Sequence, residues 1–121
     1  MMKRTRMRIF VFVALLMACI APAAAEILGP DDAVAVSGIV QEHLNATDID
    51  VKMVGEKPYA IAYWSAGRNY AAGEALTKKS KSGWTIVKVT NGKFTDSTLH
   101  ALGVPEPTSK ALVADLKRAA Q

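Results

Sequence analysis

Cysteine occurs once in the 121 residues, at Cys19. Everything after it therefore lacks a disulfide, a thiol nucleophile and a thiolate metal ligand. Histidine occurs twice, at His43 and His100, and Met53 is the only methionine past position 17. A soft-ligand copper site has little to draw on, and a shared histidine site requires two distant residues to meet along with further ligands. Long apolar runs are also missing. The longest, beginning at Ile9, extends about a dozen residues to Pro22, short of the roughly 20 that span a bilayer.

That short run has a recognisable setting. Lys3, Arg4, Arg6 and Arg8 precede it, and Ala23, Ala24 and Ala25 follow it just before Glu26. A basic start, an apolar core and small residues at the end form the layout of a secretory signal peptide. The expected division is a signal peptide over 1–25, cut between Ala25 and Glu26, and one small domain over 26–121. The expected location is periplasmic or secreted, with no transmembrane segment after processing. Leu16-Met17-Ala18-Cys19 also resembles a lipobox, which leaves open a lipoprotein anchored through Cys19; an uncleaved anchor is the third reading.

Excess charge is lacking once this leader is set aside. The whole chain carries 15 Lys and Arg against 11 Asp and Glu. Four of the cations lie in the leader, so 11 face 11 in the remainder. A nucleic-acid-binding domain normally shows a clear basic excess, so no nucleic-acid partner is expected. Lys78, Lys79 and Lys81 cluster beside Ser80, Ser82 and Gly83 and read as a solvated hairpin turn, with an anion contact as the alternative.

What is present is a clear alternation of periods. Pro30-Asp31-Asp32 opens a helix with acidic residues in its first turn, and Val36, Ile39, Val40, His43 and Leu44 recur at helical spacing. His43 is thus expected half-buried beside the apolar stripe. Gly38, in mid-helix, suggests a close approach to the sheet. From Ile49 the period becomes two: Ile49 to Met53, Tyr59 to Ser65, Ala72 to Lys79 and Trp84 to Thr90 read as strands joined by short turns. Such turns join antiparallel neighbours. Thr95 or Asp96 caps a short helix ending at Gly103, and a last helix begins among Pro105 to Ser109. The fold class is α+β: an N-terminal helix, a four-stranded antiparallel meander and two C-terminal helices packed on one face of the sheet.

The second strand alternates two characters. Ala60, Ala62 and Trp64 share one face, suited to a closely packed helix. Tyr59, Ile61 and Tyr63 share the other, expected to look away from the helices and to offer either a partner surface or an ordinary outer sheet face. Arg68, in a Gly67-Arg68-Asn69 turn, is the candidate anion contact. Met53 reads as core. Asp31-Asp32 reads as helix-start chemistry, and Asp48 and Asp50 as a turn entering a strand. No serine sits in a nucleophile-elbow context. Asn45-Ala46-Thr47 is a glycosylation sequon, relevant only in a eukaryotic secretory pathway.

Tyr63-Trp64, Gly67, Gly73-Glu74-Ala75-Leu76, Gly83-Trp84-Thr85-Ile86-Val87, Leu99 and Gly103-Val104-Pro105 together resemble small secreted bacterial proteins of largely unknown function. Some of these are named copper uptake system-associated proteins. The resemblance spans roughly Tyr59 to Leu116 and rests on packing and turn residues. It implies a link to copper uptake, without assigning metal ligands. Where copper-linked members carry a cysteine near the end of the last strand this chain has Val89, and their paired glycines are reduced to Ala72-Gly73. The expectation from the whole sequence is an exported accessory or binding domain without catalytic machinery or a cofactor, serving an unknown protein or small-molecule partner. A metal-handling, copper-linked accessory protein is the alternative, and a small enzyme the second.

Overall fold

The computed structural model describes residues 28–120. The expected cleavage site at Ala25 and Glu26, and Cys19 with its lipid alternative, lie outside the described residues. The chain runs α1 (Pro30–Leu44), β1 (Lys52–Glu56), β2 (Tyr59–Trp64), β3 (Gly73–Ser80), β4 (Gly83–Thr90), α2 (Asp96–Ala101) and α3 (Glu106–Ala119). The strands form one antiparallel sheet in the order β1-β2-β3-β4. Short turns leave no room for the crossovers that parallel pairing requires, so sequence order becomes spatial order. The first strand begins later than its alternating pattern suggests, because the β1–β2 ladder starts at the Lys52–Tyr63 pair.

Helices cover both faces of this sheet. Under α1, Val36 and Val40 meet Ile49, Ala60, Ala62, Trp64, Ala75 and Trp84. Three alanines in that group let the helix approach closely, as the small-residue face of β2 predicts. Gly73 adds to the same fit: a Cβ there would stand 2.7 Å from Thr90 O and 2.9 Å from Trp64 Cζ2. On the opposite face Tyr59, Ile61 and Leu76 pack with Phe94, Leu99, Val104 and Leu112, and with the partly buried Val113 and Leu116 of α3. Each fully buried leucine or isoleucine here contributes about 1.5–3 kcal/mol.

The second cluster corrects the expectation for the tyrosine face of β2. Tyr59 is 8% exposed and Ile61 0%, because α2, α3 and the Phe94 loop cover them. Tyr59 also donates to Gly103 O at 3.4 Å. Only Tyr63 remains half-buried at the strand's far end. One tyrosine and the isoleucine of this face are core material, and only Tyr63 keeps an open side.

Two readings of α1 also change. Gly38 does not approach the sheet; a Cβ would meet nothing within 4 Å, since Val36 and Val40 turn the other side of the helix inward. His43 is exposed, and Leu44 takes the partly buried place at the end of the stripe. The helix ends where Asn45 adopts φ 53°. Thr95 caps α2, its hydroxyl accepting from Thr98 N–H at 3.2 Å, and Gly103 at φ 98° lets the chain leave that helix.

Candidate functional site

Among the described residues, the buried and half-buried carboxylates gather in three places. One is the start of α1. Asp32 lies on the inward side of the first turn and is 8% exposed. Its Oδ1 accepts from Trp84 Nε1 at 3.0 Å and Lys79 Nζ at 3.1 Å. Its Oδ2 pairs with Lys57 Nζ at 2.8 Å and accepts from Gly29 N–H at 3.4 Å. Lys57, Trp84 and Lys79, in that order, hold the carboxyl well below the usual carboxylate range. With four donors on two oxygens, the group is saturated. It ties the helix to the β1–β2 turn and the β3–β4 hairpin. Lys79 is exposed beside the hairpin turn, as its neighbours suggested, and is also held by this carboxylate. Lys78 is exposed and stands 5.5 Å from the Tyr59 ring centroid.

A second place is the contact between β1 and α3. Burial, then the hydrogen bond and charge of Asp115, push the Glu56 carboxyl up to about 7, with Arg118 opposing them. Arg118 is itself bound to Asp115. A short clamp also joins α2 to α3: Ser109 Oγ donates to Asp96, and Lys110 Nζ lies 3.1 Å from both Asp96 and Glu106.

The third place is open to solvent. Sheet register sets Lys52, Tyr63, Glu74 and Thr90 in one row across the four strands. Residues directly opposite share a face at about 4.5–5.5 Å between Cβ atoms, so this row lies on the α3 side, where α3 ends. Tyr63 divides the row into two clefts. The larger, about 490 Å³, is lined by Asp48, Asp50, Lys52, Ser65 and Tyr70 among others. Lys52 Nζ is held 3.2 Å from Asp50 there. The smaller, about 200 Å³, lies between Glu74, Phe94 and the Leu116–Ala120 end of α3. Glu74 is 7% exposed, and its Oε1 accepts from Phe94 N–H at 2.8 Å.

The residues singled out from sequence scatter around this row. Tyr63 belongs to both clefts, whereas Tyr59 and Ile61 lie beneath α2 and α3. Arg68 is exposed on the β2–β3 loop and lines neither cleft. Met53 packs against the α1-side core. His43 ends α1, while His100 on α2 brings Nδ1 to 3.2 Å from Val104 O. The two histidines belong to helices on opposite faces of the sheet and do not converge. No group of three or more His, Cys, Asp or Glu side chains suited to a metal ion occurs among the described residues. No described helix is long and apolar enough to cross a membrane.

Sequence reasoning passed over Glu74 and the buried role of Asp32. The signal for Glu74 was there: one carboxylate within an otherwise small and apolar Gly73-Glu74-Ala75-Leu76 strand. Asp32 differed from Asp31 only in its position on the helix, which places it on the inward side.

Comparison with known proteins adds no relative. The chain matches no family model, no curated protein and no solved structure.

Proposed function

We propose that this chain is an exported, non-catalytic accessory domain that binds a small molecule or a short partner segment in the clefts flanking Tyr63. The observation that carries this reading is the Lys52–Tyr63–Glu74 row, which presents an ammonium, a phenol and a carboxylate beside apolar walls where α3 ends. Convergent polar groups on an apolar concave surface are the usual makings of a recognition site. Both other buried carboxylate clusters are consumed by contacts within the fold. Neither histidine lines either of these two clefts, and Ser65 in the larger one has no histidine beside it to act as a base, so the groups present suit holding a ligand better than transforming one. The export component is supported by the basic, apolar and alanine-rich order of the first 25 residues.

Photo-crosslinking in intact cells tests the reading. A photoreactive residue at position 63 is expected to yield a defined adduct. One at Val34, exposed on the other side of the sheet, is expected to yield none. Equal labelling at both positions, or none at position 63, overturns the reading. Mass spectrometry of the same cellular product reports the N-terminus; Glu26 is expected there, and an intact Met1 on a cytosolic species removes the export component.

A further inference from the structure

Glu74 carries more charge than the fold requires of it. Phe94 N–H needs one acceptor, which a neutral amide oxygen supplies equally well. The second carboxylate oxygen of Glu74 has no donor among the described residues, although the residue is more than nine-tenths buried. Withdrawing a carboxylate from water without matching its lone pairs is costly. That cost is met when a cation binds there.

The walls indicate what such a ligand looks like. The Phe94 side chain and Leu116 are apolar, while the cationic residues Lys93 and Lys117 line the same cleft. Neither lysine forms an ion pair with Glu74, so one carboxylate and two cations stay available at separate points. A simple amine would satisfy Glu74 but be repelled by the lysines. A simple carboxylic acid would have the opposite fault. A molecule with both charges and an apolar side chain beside them matches all the walls. The volume of about 200 Å³ falls below the roughly 300–1,000 Å³ of pockets for drug-sized ligands and suits something the size of one residue.

We infer that the cleft between Glu74, Phe94 and α3 is a binding site for a free hydrophobic α-amino acid. Glu74 takes the ammonium group, Lys93 and Lys117 take the carboxylate, and Phe94 and Leu116 take the side chain. This rests on the reading of the Tyr63 clefts as a ligand surface and specifies the occupant of one of them.

The test is a two-dimensional amide NMR titration of the protein as isolated from its cells, with three probes. L-leucine carries both charges, leucinamide only the cation (as does the first residue of a peptide), and 4-methylpentanoate only the anion. Leucine is expected to shift the Tyr63, Phe94 and Leu116 amides saturably, and the single-charge probes to bind about tenfold more weakly or worse. Glu74→Gln keeps an acceptor for Phe94 N–H and is expected to weaken leucine by a similar factor. The probe comparison on the unaltered protein stands independently of whether that variant folds. Absence of leucine shifts, leucinamide binding as tightly as leucine, or a folded Glu74→Gln that binds leucine unchanged each overturns the inference. If adducts at position 63 persist while leucine fails, only the amino-acid assignment falls; if those adducts are also lost, the ligand surface falls with it.

Discussion

Replacing Glu56 with glutamine should stabilise the protein at high pH and leave it unchanged at low pH. In the folded state Glu56 keeps its proton until about pH 7, against a usual value of 4.5. Between those two values the native state binds more protons than the unfolded chain, so stability falls as pH rises. The physical event is loss of the proton that Glu56 shares with Asp115, after which two carboxylates abut at the β1–α3 contact. Each pH unit across the window corresponds to about 1.4 kcal/mol, which places a ceiling of about 3.5 kcal/mol on the loss. Glu56 is only half-buried and Arg118 offsets part of the negative charge, so about 1–2 kcal/mol is expected. Glutamine has no proton to lose, and its amide can donate to Asp115 at every pH. Urea unfolding followed by Trp64 and Trp84 fluorescence, at several values from about pH 5 to about pH 8, measures the difference. The variant and the parent should coincide at the acid end and separate by about 1–2 kcal/mol at the alkaline end. A gap that is constant across the series, or a parent more stable at the alkaline end, refutes the shared proton.

Two further variants probe α1. Gly38→Ala should raise stability by about 0.5–1 kcal/mol in thermal unfolding followed by circular dichroism, because the added methyl meets open space and the helix loses a flexible residue. Asp32→Asn should lower the urea midpoint at neutral pH, since Lys57, Lys79 and Trp84 lose their charged acceptor. The lowered pKa of Asp32 means that its contribution is complete above the unfolded carboxylate range and is lost as pH falls through the folded value. The gap between parent and variant should therefore narrow below about pH 4; a gap that widens in acid contradicts the assignment.

Most of the architecture was legible in the sequence because it depends on local signals. The switch of period at Ile49, the Ser82-Gly83 turn and the Thr95 cap each act within a few residues, and each appears close to its expected place. What was not legible depends on which objects meet. The alternation of β2 separates Tyr59, Ile61 and Tyr63 from Ala60, Ala62 and Trp64, yet it cannot say whether one face or both will be covered. Helix α3 and the Phe94 loop decide that, some 30–50 residues later in the chain. The smaller cleft has the same origin. Glu74 faces it because β3 places alternate residues toward α3, and Lys117 joins it only because α3 docks along β1 and β2.

The two buried carboxylates that local reasoning missed do opposite work, and their positions explain why. The row Glu56–Tyr59–Lys78–Thr85 and the row Lys52–Tyr63–Glu74–Thr90 mark the two ends of the sheet. Asp32 closes the first end from the α1 side, drawing Lys57, Lys79 and Trp84 onto one pair of oxygens. Its donors are enough to match the lone pairs it withdraws from water, so it rigidifies without leaving anything to bind. Glu74 stands at the second end on the other face with one oxygen matched and one not. A fold with a single modest core on each side of a small sheet tolerates an unmatched carboxylate only where a cleft lets water or a ligand reach it. On the proposed reading, the saturated carboxylate at the closed end serves stability and the unsaturated one at the open end serves recognition beside Tyr63.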